Sequence, residues 1–325
     1  RLLVSRWMRI THWEFWPPWL FYPPLVVYLA WLSIRHRGAA VFTACNPAIP
    51  AGGFIGESKA AILDGLRGAH EWVAPYTLVP GALAVEGKLE QVRAFLAERA
   101  LTWPVVAKPD VGQRGLGVAV VRTEAELAAY FRTPRPDTVV QAFVPGLEFG
   151  VFYYRYPGAE RGHVFAITDK RFPAVTGDGR RDLEHLILDD PRAVCMARFY
   201  LHAQRDRLSW VPPAGERVQL VEIGTHCRGA VFLDGTHLLT PALEECVDRI
   251  TRAFAGFHFG RYDLRVPSVA EFQQGRGFQI IELNGVTSEA TSIYQPGASV
   301  FRAWGTLMRQ WRIAYEIGAA QRAAG

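Results

Sequence analysis

The sequence predicts an α+β protein, and three observations carry that reading. Residues 103–121 hold two β-branched runs either side of a turn with Gly112, Gly115 and Gly117, a hairpin-like unit. Residues 259–265 and 278–284 alternate side chains with the period of two that strands require. Segments 86–99, 241–255 and 298–324 instead space their apolar residues as amphipathic helices do.

Length and composition set the bounds. A chain of 325 residues predicts one large or two to three small domains, and with 50% hydrophobic residues it can fill a sizeable core. The net charge of +5 is carried almost wholly by arginine, lysine occurring only at Lys59, Lys88, Lys108 and Lys170. No dense basic run is present, so there is no case for a nucleic-acid partner; phosphorylated ligands or an anionic membrane surface suit the balance better. Cys45, Cys195, Cys227 and Cys246 are scattered, with no C-x-x-C pair. A disulfide framework and a thiolate metal site are both disfavoured, and a reduced, cytoplasmic setting is the expectation.

Residues 1–38 form an aromatic arm. Between 13 and 34 the only charge is Glu14, and Arg35 and Arg37 follow at once. Pro17, Pro18, Pro23 and Pro24 forbid a continuous helix. The helical remainder, 25–36, would be roughly 18 Å long, too short to cross hydrocarbon. Tryptophan and tyrosine beside arginine suit the interfacial belt, so peripheral contact with the inner face of a membrane through residues 13–37 is expected. The alternatives are an arm packed on its own domain or on a homodimer partner, and a true span. A secretory signal is disfavoured, because the segment is aromatic and has no small-residue cleavage site.

Residues 39–100 read as a reduced α/β segment: a strand at 39–44, a glycine-rich lead into a helix opening at Ser58 and Lys59, a strand at 74–79 and the helix at 86–99. The lead lacks the Gly-Lys-Ser/Thr order of a P-loop. Ser58 and Lys59 either hold an anion at the helix N-terminus, on the substrate side of a cleft, or cap the helix.

The strand at 103–108 ends in Lys108. Glycines in the loop beyond let backbone N–H groups turn inward as an anion trap above that lysine. Alone, the unit is equally an ordinary hairpin with a flexible tip. Further pieces follow in order: Gln141-Ala-Phe143-Val144-Pro-Gly-Leu-Glu148, Thr168-Asp-Lys170, Gly260-Arg261-Tyr-Asp263 and Ile280-Ile-Glu282-Leu-Asn284. Arg261 and Asp263 share a strand face, as do Glu282 and Asn284. If the two strands pair, three oxygen ligands converge, the hard set that Mg2+ favours. Buried acids with no lysine nearby would otherwise be costly.

In this order the motifs resemble the ATP-grasp superfamily, and within it carboxylate–amine ligases of the D-alanine–D-alanine ligase type, over roughly residues 75–297. The resemblance implies two α+β subdomains clamping ATP within residues 101–325. It places Lys108, Gly112, Gly115 and Gly117 on the phosphates and Phe143 and Val144 on the adenine. Gln141 stands beside them where the family often has glutamate. Glu148 would hold the ribose hydroxyls and Lys170 the terminal phosphates. Asp263, Glu282 and Asn284 would bind Mg2+, with Mn2+ as a substitute, and Arg261 would stabilise charge on the transferring phosphate. Arg228, displayed with His226 by a glycine-rich turn, suits a substrate carboxylate or phosphate. Ser288 and Glu289 are candidate contacts for an amine. The turn at 177–181 reads either as a lid or as a tight turn with solvated arginines.

The expected activity is ATP-dependent amide-bond formation between small-molecule or lipid-linked acid and amine substrates. The rival readings are an ATP-grasp kinase acting on a hydroxyl and a non-catalytic nucleotide-binding protein. The ligase reading fails if Asp263 and Glu282 lie apart or point away from the glycine hairpin.

Overall fold

The β-branched hairpin at 103–121 forms, and it belongs to a sheet larger than the sequence implied. The computed structural model describes residues 12–112, 115–221 and 230–324. Strands β1 (Tyr76–Val79), β2 (Val105–Pro109), β3 (Ala119–Val121) and β4 (Thr138–Ala142) make a sheet ordered β1-β4-β2-β3 with antiparallel pairing throughout. Helices Val85–Glu98 and Glu124–Arg132 bury Leu89, Val92, Leu127 and Phe131 against it. The second helix starts where it does because the Thr123 side chain accepts from the Glu126 amide at 3.2 Å.

The larger sheet is ordered β11-β10-β5-β6-β9, again antiparallel, from β5 (Leu147–Tyr154), β6 (His163–Arg171), β9 (Val231–Asp234), β10 (Phe259–Val266) and β11 (Gln279–Asn284). Between β6 and β9 the short pair β7 (Ala174–Thr176) and β8 (Arg217–Gln219) joins helices Leu183–Asp189 and Ala197–Ala203 around a separate core that includes Leu186, Ile187 and Tyr200.

Strand alternation divides the large sheet into two chemistries. Phe149, Val151, Tyr262 and Leu264 face a core with Ile62, Leu63, Val247 and Ile250 of helices Lys59–Asp64 and Pro241–Arg252. The opposite parity puts Phe152 and Phe259 against Ile313, Ala314 and Ile317 of the C-terminal helix Val300–Ala324. Further along those strands the same parity presents Glu148, Arg261, Asp263 and Arg265, which line a cavity. A register shift between Asp263 and Leu264 leaves Ile281 as the extra residue of β11, so Glu282 and Asn284 join them.

One expectation for the amino-terminal part is corrected. Residues 39–44 contain a 3-10 turn, Val41–Ala44, rather than a strand. Thr43 closes the turn on the Ala40 carbonyl through its amide and its hydroxyl, and Val41 is buried beside Tyr315. A short apolar run does not by its period distinguish a strand from a buried helical turn. The arm, in turn, packs on its own chain. Helix Pro23–Arg35 begins with prolines where amides have no intrahelical acceptor, and it buries Leu25 and Leu32. Trp304 donates its indole N–H to the Phe21 carbonyl at 2.9 Å, and Ser33 and Tyr315 share a hydrogen bond of 2.9 Å. Its outer face stays bare, with Trp19, Val27 and Ile34 more than 70% exposed. Among the described residues no helix is long and apolar enough to cross a membrane.

Candidate functional site

Both sheets contribute to one cavity of about 970 Å3. Lys108 enters it from the end of β2, almost fully buried. Its Nζ donates to Gln141 Oε1 and to the Ile281 carbonyl, each at 2.9 Å, so it ties the two sheets together. Gln141 is fixed in turn by donating to the Ala74 carbonyl at 3.2 Å. Burial lowers the Lys108 pKa, and the Glu282 charge opposes that fall.

Gly112 and Gly115 line the cavity, and Gly117 does not. Gly117 serves the backbone instead, because its φ is 75° and a Cβ there would lie 2.8 Å from Pro109 Cγ. Lys59, which also lines the cavity, holds the loop by donating to the Asp110 carbonyl at 3.0 Å and the Gly112 carbonyl at 2.9 Å. Ser58 is the helix cap, accepting from the Ala61 amide at 3.0 Å.

Phe143 and Val144 line the cavity beyond β4. Arg265, which sequence reasoning left without a role, organises them. It donates to the Val144 carbonyl at 2.9 Å, its guanidinium lies 5.3 Å from the Phe143 ring centroid, and it pairs with Glu148 Oε2 at 3.0 Å. Lys170 then bridges Glu148 Oε1 at 3.2 Å and Asp263 Oδ1 at 2.9 Å. Arg261 reaches both Asp263 oxygens, at 2.9 and 3.1 Å, and the Glu289 carbonyl at 2.9 Å. The expectation of acids without a nearby lysine is therefore wrong: Asp263 is buried against two cations. Burial favours its neutral form, but Arg261 and Lys170 outweigh that and hold its carboxyl below the usual range.

Glu282 is the register partner of Asp263, and Asn284 that of Arg261. All of them line the cavity that Lys108 and the glycine loop enter. Asn284 donates to Asp263 Oδ2 at 3.4 Å. Among the described residues no group of three or more acidic, histidine or cysteine side chains is assembled as a metal cage. The donors nonetheless suit Mg2+ in kind, since that ion takes one or two carboxylates and completes its shell with phosphate oxygens and water. The charge balance agrees. Among the described lining residues five are basic and six acidic, so a polyphosphate would enter a nearly neutral chamber and needs an accompanying cation.

Glu57 also lines the cavity, with its Oε2 buried and without a hydrogen-bond partner. Burial, then the Glu282 charge, push its carboxyl up to about 7 against the pull of Lys59. The signal was present in the glycine-rich lead, where attention to Ser58 and Lys59 hid it. Glu289 accepts from the Tyr22 and Tyr294 hydroxyls, each at 2.8 Å. Ser288 turns back on the Gly285 carbonyl at 2.6 Å. Arg228 and His226 lie outside the described residues. In the turn at 177–181 Arg181 pairs with Asp178 at 2.6 Å and Asp189 at 2.7 Å. Among the described residues none from 171 to 221 lines the cavity.

A 205-residue stretch, 56% of the chain, is 22% identical to the glutathione biosynthesis bifunctional protein GshAB of Streptococcus agalactiae, serotypes V and III, and spans 26% of those proteins. A bifunctional glutathione synthetase from Pasteurella multocida is similar over 78% of this chain and 36% of its own, at 17% identity and a TM-score of 0.42. The D-alanine–D-alanine ligase of Bacillus anthracis is similar over 82% of this chain and 69% of its own, at 13% identity and a TM-score of 0.45. The same ligase complexed with ATP gives 13% identity and a TM-score of 0.44. No family model matches the chain. What the chain offers chemically is a buried set of cations paired with carboxylates in a cavity that a glycine loop also lines.

Proposed function

We propose that the chain is an ATP-dependent carboxylate–amine ligase that forms an amide bond through an acyl phosphate. One observation carries the reading: Lys108, Lys170 and Arg261 from three strands converge with Asp263, Glu282 and Asn284 in a single cavity. Lys108 and the loop around Gly112 and Gly115 would hold the phosphate chain, while Phe143 and Val144 flank the base and Glu148 the ribose. Asp263, Glu282 and Asn284 would hold Mg2+, which supplies charge neutralisation on the phosphates. A substrate carboxylate oxygen attacks the γ-phosphorus and ADP leaves. The amine then attacks the carbonyl carbon, and inorganic phosphate departs. Lys170 and Arg261 spread the charge of both transitions, work of positioning and electrostatics that needs no covalent nucleophile.

The proposed nucleotide contacts fall within residues 101–325, while β1 and helix Val85–Glu98 complete the sheet that carries the glycine loop and the arm adds Trp13, Glu14 and Tyr22 to the cavity wall. The exposed outer face of helix Pro23–Arg35, ending at Arg35 and Arg37, would rest on the inner face of a membrane, which would bring lipid-linked substrates within reach. Two experiments test these readings. The full chain is incubated with ATP, Mg2+ and panels of acids and amines, and products are read by mass spectrometry. ADP with an amide supports the ligase, ADP with a phosphoester makes it a kinase, and no ADP from any panel removes catalysis. Co-sedimentation with phosphatidylserine vesicles, lost in Trp19→Ser/Val27→Ser with turnover kept, supports the membrane face; no co-sedimentation of the wild type contradicts it.

A further inference from the structure

We infer that the inner face of the amino-terminal arm is a binding subsite for an organic ammonium ion, the cationic end of the amine substrate. The word substrate rests on the ligase reading; the ammonium site does not.

The subsite is part of the cavity of about 970 Å3, which Trp13, Glu14, Trp16 and Tyr22 line together with Glu289 and Tyr294. Glu14 is only 4% exposed, and its Oε1 has no hydrogen-bond partner. A carboxylate withdrawn from water in this way is stabilised by a cation brought to it, and no arginine or lysine among the described arm residues lines the cavity. The surroundings favour an organic cation over a small inorganic one. Trp13 stacks on Phe21 with centroids 5.3 Å apart and lies 5.8 Å from Tyr294, so aromatic rings wall the chamber beside Glu14, and a desolvated organic cation gains from such rings. A second carboxylate, Glu289, belongs to the same lining, held by two tyrosine hydroxyls. An anion would meet acids and aromatic rings there. A neutral apolar group would leave Glu14 unpaired. The arm is also fixed in place before any ligand arrives, because Trp304 and Tyr294 clamp it.

The probes are choline and its uncharged carbon isostere, 3,3-dimethylbutan-1-ol, titrated calorimetrically into the full chain and into Glu14→Gln. Gln keeps the shape and removes the charge, and Glu14→Gln should melt no lower than the wild type. Choline is expected to bind the wild type and to weaken roughly tenfold or more in Glu14→Gln, with the alcohol binding both proteins weakly and alike. Trp16→Leu, at a partly buried ring, should weaken choline several-fold and serves if Glu14→Gln does not fold. No choline binding, equal choline binding in wild type and variant, or an alcohol as tight as choline would overturn the subsite. Choline binding without ATP turnover on any amine would instead overturn the ligase reading and leave the subsite standing.

Discussion

Glu148 and Glu14 are buried almost equally, 5% and 4% exposed, and line one cavity, yet their surroundings differ in kind. Glu148 has a cation on each oxygen, Lys170 on one and Arg265 on the other. Glu14 has aromatic rings and an unpartnered oxygen. At the end proposed to take the nucleotide, Glu148 is thus paired without a ligand, and entering phosphates would trade for its partners. At the arm end Glu14 Oε1 has no partner among the described residues, as the proposed ammonium site requires. Both follow from one rule, that a buried ion must be paired, met by protein in the first case and left to a ligand in the second.

Removing a cation from the Glu148 end should have the largest effect. Lys170→Met leaves Glu148 and Asp263 short of their shared ammonium, so unfolding by urea should show a loss of about 3–5 kcal/mol, and ATP turnover should fall at least roughly a hundredfold. An unchanged urea midpoint would show that the pairing does not hold this end together. Phe21→Ala acts on the other end, emptying a site 3% exposed between Trp13 and Trp304. It should cost about 3 kcal/mol and raise the KM for the amine while ATP affinity stays as it was. Loss of ATP affinity would dissolve the distinction between the ends.

Glu57 sharpens the comparison through pH. Its carboxyl rises from 4.5 to about 7, so between those values the native state keeps a proton that the unfolded chain has lost. Wild-type stability should therefore fall as pH rises through that window. Glu57→Gln should flatten that fall and gain about 1 kcal/mol at pH 8, well under the full conversion of the shift because the side chain is partly solvated. Parallel thermal-melt pH profiles for the two proteins would contradict it. Val27→Ser, at an outer-face position 72% exposed, should change stability by less than about 0.5 kcal/mol.

The strands that carry the site were legible because each alternates with period two. Arg261 with Asp263 and Glu282 with Asn284 could be assigned to shared faces from sequence, and the register pairs them. Lys108 was legible as a lysine closing an apolar strand before glycines. Arg265 was not, since its partner Glu148 is 117 residues away and two steps along β10 look the same from sequence whether solvated or paired. The arm was read by composition, which distinguishes an aromatic segment but not what covers it. Its contacts span more than 280 residues, from Phe21 to Trp304 and from Trp13 to Ala298. The run at 39–44 misled because buried turns and strands share the same apolar alphabet.

The proposed activity requires that Lys108 and Lys170 receive a nucleotide in the one cavity they both line. Calorimetric titration of ATP with Mg2+ into the wild type and into Lys108→Met tests it directly. Saturable one-to-one binding by the wild type is expected, weakened at least roughly tenfold in Lys108→Met. No binding by the wild type, or equal affinity in both proteins, would contradict it.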